Sequence, residues 1–316
     1  MAGIYLHIPF CKQACTYCDF HFSVNMAAKP ELVKAFLKEI DQRKKYLKGE
    51  KIETIYFGGG TPSVLNEDEL NSILDKIRKE FLVDNNTEIT LECNPDDLTK
   101  EKLTQLKKAG INRLSIGLQS FNDNELKWMN RVHMSGESLS CVKLAQDAGF
   151  GNITIDLIYG SKFQDMKSWE RTLQTVIDLN VQHISAYNLT IESKTKLGID
   201  HQKGNEPEIS EELSSEQFKM MIDVLQKSQF VHYEISNFGK ENFFSKHNSN
   251  YWKGVSYLGL GPSAHSFNGE SRQWNVASNS ASESQPPSIE SESAAEAEGW
   301  YACWRWCGCW SIRDTS

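Results

Sequence analysis

Residues 88–117 read EITLECNPDDLTKEKLTQLKKAGINRLSIG, and the order of signals in this stretch decides the fold. Glu88–Glu92 is a short run with strand character, and Lys100–Ala109 is a helical stretch that Thr99 can cap. Gly110 stands where a left-handed C-cap belongs, and Arg113–Gly117 is a second strand. A strand, a helix and a strand at this spacing describe a parallel pair joined by a right-handed crossover.

The same unit recurs on both sides. Further strands are expected at Ile4–Ile8, Thr54–Phe57, Ile153–Ile158 and His183–Tyr187. Helices are expected at Glu31–Leu47, Glu67–Phe81, Glu137–Ala148 and Trp169–Leu179, with Gly149 as another C-cap. Six strands alternating with helices predict an α/β fold, a partial (β/α)6 barrel over residues 1–190. Functional groups then belong at the C-terminal ends of the strands. The pattern changes after Tyr187. Residues 188–210 read as a loop, Glu211–Gln226 as a helix, and His232–Ile235 and Tyr257–Gly261 as strands. A smaller α+β module over residues 191–280 is expected, attached to the barrel.

From Ala281 to Glu298 the chain is dominated by Ser, Glu, Ala and Pro, a composition that reads as disordered. Trp300, Trp304, Trp306 and Trp310 then crowd together with Cys303, Cys307 and Cys309. Neither part has a usable period, so residues 281–316 read as a disordered or out-of-frame tail rather than a metal site.

The formal net charge is -8, which gives no reason to expect a nucleic-acid partner. The basic run from Lys29 to Lys51 is interleaved with Leu32, Phe36, Leu37, Ile40 and Leu47, which makes it the wet face of an amphipathic helix. No stretch approaches the roughly 20 apolar residues needed to span a bilayer. The first ten residues lack a signal-peptide pattern, so a cytoplasmic protein is expected. There, clustered cysteines bind metal or do chemistry more often than they pair. Cys93 and Cys141 stand alone and read as small buried hydrophobes.

The remaining cysteines lie in HIPFCKQACTYCDF, residues 7–20, directly after the first strand. Cys11, Cys15 and Cys18 have the spacing C-x3-C-x2-C. Three thiolates in one loop can hold three irons of a [4Fe–4S] cluster and leave the fourth open to an exchangeable ligand. The same positions describe one face of a helix, and a zinc site completed by His7 or His21 also remains open. Pro9 and the preceding strand favour a functional loop.

With its aromatic residue before the last cysteine, this motif resembles the radical S-adenosylmethionine (SAM) superfamily. The surrounding residues from Tyr5 to Cys11 resemble its branch of heme chaperones and oxygen-independent coproporphyrinogen III oxidases. The resemblance spans about residues 3–276. It implies a [4Fe–4S] cluster on Cys11, Cys15 and Cys18. It also implies that SAM chelates the open iron and can be cleaved to a 5′-deoxyadenosyl radical by an electron from a flavodoxin or ferredoxin. It assigns Gly59, Gly60 and Thr61 of GGGTP to the methionyl amino group, Glu92 to the ribose hydroxyls, and Arg131 to the SAM carboxylate. Gln119 and Asp156 become further polar contacts, Tyr5 and Tyr17 cofactor-adjacent aromatics, and Ile158 and Thr190 backbone contacts to the adenosine.

Within the branch, the oxidase pattern carries another cysteine just after the third, where this chain has Asp19 and Phe20. Residues 247–252, HNSNYW, resemble a motif of the heme chaperones. His247, Tyr251 and Trp252 are therefore candidate heme contacts, because imidazole ligates heme iron and aromatic rings stack on porphyrins. His265 is a second, weaker histidine of this kind. The expected function is a heme chaperone that passes heme to an acceptor, membrane-associated or soluble. The alternative is radical decarboxylation of coproporphyrinogen III, which leaves the question of enzyme or chaperone open. The resemblance also implies that the family's C-terminal module is incomplete beyond about Val276.

Overall fold

The computed structural model describes residues 1–277 and the strand Ile289–Ser293. In chain order the main elements are β1 (Ala2–Ile8), α1 (Lys29–Arg43), β2 (Lys51–Gly59), α2 (Glu67–Glu80), β3 (Leu82–Cys93), α3 (Lys100–Ala109), β4 (Arg113–Gln119), α4 (Asp123–Trp128), α5 (Ser135–Asp147), β5 (Ile153–Tyr159), α6 (Met166–Asp178) and β6 (His183–Asn188). There follow α7 (Lys196–Gln202), α8 (Glu211–Lys227), β7 (Val231–Glu234), β8 (Asn237–Gly239), α9 (Lys246–Trp252), β9 (Tyr257–Leu260), β10 (His265–Phe267), β11 (Ser271–Asn275) and β12 (Ile289–Ser293).

The strands β1 to β6 are parallel and lie in sequence order. β1 and β6 do not pair with each other; they pair outward, with β9 and β8. The barrel is therefore open, as the strand count predicts. Local signals set the helix ends: Thr99 caps α3 by accepting from the Lys102 N–H, and Gly110 ends it at φ 95°. Asn66 and Glu69 form a capping box on α2.

The C-terminal residues add strands to both edges of this one sheet. β9, β10, β11 and β12 extend the β1 edge, and β8 and β7 extend the β6 edge. A buried cluster ties α1 to the first group. Arg43 donates to the Gly259 carbonyl (2.9 Å) and the Ser266 hydroxyl (2.9 Å), while Glu39 accepts from the Gly261 N–H (2.9 Å) and from Asn275 (2.7 Å). Composition predicts no element in residues 281–298, yet Ile289–Ser293 pairs antiparallel with β11. The rest of the 281–316 tail, with its four tryptophans and three cysteines, lies outside the described residues. Among the described residues no helix is long and apolar enough to cross a membrane.

Parallel strands covered on both faces usually read as unbroken apolar runs. These alternate instead. Ile4, Leu6, Ile55, Phe57, Leu91, Ile116, Ile155 and Ile184 are buried in the core with Phe36, Ile40, Ile73, Leu103, Val142 and Trp169 of the helices. The other parity carries Tyr5, Thr54, Tyr56, Glu88, Glu92, Arg113, Ser115, Thr154, Asp156, His183 and Ser185. The register places Tyr5 beside Tyr56, Glu92 beside Ser115, and Asp156 beside Ser185. The interior of this barrel is therefore polar, and many of these residues open on a chamber rather than packing it shut.

Candidate cluster and cofactor site

The chamber measures about 270 Å³ and brings together Cys11, Cys15 and Cys18 with Tyr5, Tyr17, Gly59, Gly60, Thr61, Glu92, Gln119, Arg131, Asp156 and Ile158. Of the residues expected to meet SAM, only Thr190 is not in its lining. The chain turns after β6, and the neighbouring Leu189 is buried with Met129, Ile158 and Leu197. Asp19 and Phe20 also line the chamber.

The cysteine loop follows β1 and is pinched at its base. The Cys11 N–H donates to the Ser23 carbonyl (3.0 Å), and the Ser23 N–H to that of Pro9 (2.7 Å). Its crown is held from afar. The Thr16 N–H donates to Met129 (3.1 Å), Asn130 donates to the Ala14 carbonyl (2.6 Å), and the Leu197 N–H donates to Thr16 (2.8 Å). The glycines after β2 make room for this loop. A Cβ on Gly59, whose φ is 104°, would lie 2.6 Å from the His7 ring, and one on Gly60 2.8 Å from the Ile8 and Phe10 carbonyls. Close approach is required at both, by the His7 ring at Gly59 and by the loop backbone at Gly60.

All three cysteines are free and half-buried. Cys11 Sγ accepts from the Thr61 hydroxyl (3.3 Å) and Cys15 Sγ from the Arg131 guanidinium (3.4 Å). Burial pushes the Cys11 thiol up to about 11 and that of Cys18 up to about 12. Such thiols are not built as nucleophiles; a bound cation is what deprotonates them. No group of three or more His, Cys, Asp or Glu among the described residues could hold a metal ion as placed. A zinc ion needs its ligands to converge on one point, whereas the thiolates of a cluster bind separate irons. His7, one expected zinc partner, instead shares a hydrogen bond with the His21 carbonyl (2.8 Å).

Arg131 also donates to Asn94 (2.7 Å) and to the Gly117 carbonyl (2.9 Å), and its Nε is buried without a partner among protein atoms. Gln119 ends β4 at φ 65°, beyond a register shift after Gly117. That left-handed conformation is strained for a residue with a side chain, and bulges of this kind re-aim side chains at sites. Glu92 accepts from the Tyr56 hydroxyl (2.9 Å) and Asp156 from that of Ser115 (3.2 Å). Burial, reinforced by the Asp156 charge, lifts Glu92 to about 8. Burial lifts Asp156 to about 6, against the Ser185 and Ser115 hydrogen bonds and the Arg113 and Arg131 charges.

The heme candidates do not all share a surface. His247 is 3% exposed and lies in the chamber lining, whereas Trp252 is 50% exposed and is not part of it. Tyr251 lines the chamber between them. His265 is half-buried near Trp274, with ring centres 6.1 Å apart. Sequence reasoning did not single out Tyr56, Asn94, Arg113, Ser115, Ser185 or Tyr187, which also line the chamber. Their signal was polar residues recurring every second position on strands that should be apolar throughout.

The family model described as the Radical SAM superfamily matches residues 5–176. The heme chaperone HemW of Bacillus subtilis is 36% identical over 278 residues, 87% of this chain and 73% of that protein. This chain belongs to the radical SAM superfamily, on the HemW branch. The mitochondrial radical S-adenosyl methionine domain-containing protein 1 of Mus musculus is 34% identical over 84% of this chain and 60% of its own length. Among solved structures, coproporphyrinogen III oxidase (HemN) from Escherichia coli, described as a radical SAM enzyme, superposes with a TM-score of 0.77. It is 25% identical and covers 88% of this chain and 67% of that one.

Membership in the radical SAM superfamily implies a [4Fe–4S] cluster and SAM, and the chamber suits both. It offers soft thiol donors, an unpaired guanidinium N–H and two carboxyls that burial raises, Glu92 further than Asp156. SAM carries a positive sulfonium, and its sugar hydroxyls donate, so a carboxyl that meets it does so best when ionised. On the assignment of Glu92 to the ribose that the resemblance implies, SAM affinity is expected to rise between about pH 6 and 8 by up to about tenfold per unit as Glu92 ionises. Anaerobic equilibrium dialysis across that range checks it, and a flat profile would refute the role of Glu92. Without ligand the sign reverses. A carboxyl raised in the fold adds stability below its ordinary value of 4.5, and that stability is lost as pH climbs to about 8.

Proposed function

We propose that this chain is a heme chaperone of the HemW type. In this reading Cys11, Cys15 and Cys18 hold the [4Fe–4S] cluster, SAM fills the chamber, and heme is bound and passed to an acceptor protein. The observation that carries it is the end of the cysteine loop. Where the oxidases resembled above have a further cysteine, Asp19 and Phe20 line the chamber. The HemW relatives support the same choice.

Once bound, the cluster and SAM supply one-electron chemistry. The chain's own residues do the rest. Arg131, with its unpaired Nε, holds the carboxylate of SAM, and Thr61 with the backbone at Gly59 and Gly60 flanks its amino group. Glu92 accepts from the ribose, and Gln119 and Asp156 complete the polar wall. Tyr5, Tyr17 and Ile158 enclose the ligand and exclude water. A chamber of about 270 Å³ is at the small end of ligand sites, so heme is taken by an outer surface, with the exposed Trp252 as its contact and Tyr251, in the chamber lining, behind it. The partners are a heme acceptor and a small electron donor such as a flavodoxin or ferredoxin.

Titrating heme anaerobically into the reconstituted protein is expected to give a Soret change that saturates near one equivalent. The second reading, coproporphyrinogen III oxidase, is favoured by the fold match to HemN. Turnover of coproporphyrinogen III without heme binding would overturn the chaperone reading and reinstate it.

A further inference from the structure

We infer that His247 is a positioning residue for the SAM chamber: its ring props Tyr56, and Tyr56 in turn holds Glu92 towards the ligand. The inference rests on the reading that Glu92 meets SAM.

His247 stands in the first turn of α9, beneath the chamber. The N–H groups of Lys246 and His247 donate to Glu88 of β3 (3.1 and 3.3 Å), and Asn250 donates to Glu53 of β2 (3.1 Å), so the helix is seated on two strands. The imidazole is fixed at both nitrogens. Nδ1 shares a hydrogen bond with Thr54 (2.8 Å) and Nε2 with the Tyr251 hydroxyl (3.0 Å). Gly3 leaves space for its Thr54 anchor, because a Cβ there would lie 2.9 Å from the Thr54 hydroxyl.

A ring so anchored makes a wall. Tyr56 lies against it with centroids 4.9 Å apart and planes 25° apart, and Tyr5 stacks with Tyr56 at 6.1 Å. The Tyr56 hydroxyl then reaches Glu92 at 2.9 Å. Thr54, His247, Tyr56 and Glu92 thus form one line of contact from the floor to the ligand wall. As an axial ligand to heme, His247 would have to surrender the Tyr251 bond and admit iron into this floor. Burial beside the Arg113 charge keeps it neutral, which suits a spacer among polar groups.

The test is SAM affinity across pH on anaerobically reconstituted protein, with heme titration in parallel. Glu92 faces Asp156 of β5, Tyr56 of β2 and the Gly59 N–H, with Cys11 of the loop also within its field. Arg113 and Tyr187 act on Tyr56, and Arg113 and Arg131 on Asp156, so the pH midpoint belongs to this whole set. His247→Ala is expected to weaken SAM binding about tenfold, the loss of one hydrogen bond to a charged group. It should also raise the midpoint, because ionised Glu92 loses its donor. Tyr56→Phe is expected to do the same, and the double variant to be no worse than either single one. Heme binding should persist in His247→Ala.

Unchanged SAM affinity and midpoint, or additive losses, would overturn the inference. So would loss of heme with SAM binding intact, which would return His247 to the heme site. If His247→Ala does not melt cooperatively, Tyr251→Phe tests the same link by deleting one anchor. A raised midpoint is expected there, and no shift overturns the inference. Wild type that binds no SAM would instead bring down the reading on which the inference rests.

Discussion

Cys15→Ala protein, reconstituted without oxygen, is expected to hold no [4Fe–4S] cluster. Iron and sulfide should fall from about four each per chain to near zero, because two remaining thiolates cannot fix the cube in place. The loss should be confined to the site. The loop is held by its own backbone bonds at Ser23, Met129 and Leu197, so the barrel folds without the cluster. The variant should therefore melt with cluster-free wild type. Cys93→Ala is the control: Cys93 is 4% exposed and buried in the hydrophobic core, and its loss leaves the cluster in place. Iron and sulfide assays decide the matter, and a full cluster in Cys15→Ala would refute the ligand set.

The second large effect concerns stability. Arg43→Ala removes the cation from the buried cluster that ties α1 to β9, β10 and β11. Glu39, 6% exposed, then keeps its bonds from Gly261 and Asn275 but loses its counter-charge. Stranding a buried carboxylate in this way costs about 3 kcal/mol. For a domain of this size that is a fall of roughly 6–12 °C in Tm. Burial already raises the Glu39 carboxyl, and removing Arg43 raises it further. A carboxyl so raised costs stability above its ordinary value of 4.5 and none below it, so the deficit should shrink as pH falls towards that value. Thermal melts of both proteins at neutral and mildly acid pH test the size and the sign. An unchanged Tm would mean that the cluster adds nothing to the attachment of these strands.

The barrel was legible because its signals are local. Ile153–Ile158 was expected and Ile153–Tyr159 observed, and Thr99 and Gly110 cap α3 as read. The long apolar parity of the strands and the caps between them need no tertiary knowledge. Short elements escaped for the opposite reason. α9 and α7 have seven residues each, and β10 has three, too few for a period to declare itself. Residues 191–280 read as a smaller attached module, but sequence separation conceals how it attaches, with β9 against β1 and β8 against β6.

The candidate site divides along the same line. Glu92, Gln119 and Asp156 stand at or near the ends of predicted strands, and the cysteines have a spacing of their own. Tyr56, Ser115 and Ser185 carried a readable alternation, but polar residues on a parallel strand announce a chamber only when all six strands are compared. The burial of His247 could not be read at all. It depends on Thr54 and Glu88, 193 and 159 residues away in the chain.

The anchors of the cysteine loop also set an order in time. Synthesis proceeds from the N-terminus, so Cys11, Cys15 and Cys18 leave the ribosome before the residues that anchor their loop. Asn130, which clasps Ala14 and Gln13, follows 116 to 117 residues later, and Leu197, which clasps Thr16, later still. At about 5–20 residues per second the first delay is roughly 6–23 s. Throughout it the three thiols belong to an unshaped segment, open to any oxidant or stray metal, and Cys11 and Cys18 are more easily ionised there than once burial in the chamber has raised them. The loop takes the shape it offers to iron and sulfide only after more than half the barrel exists.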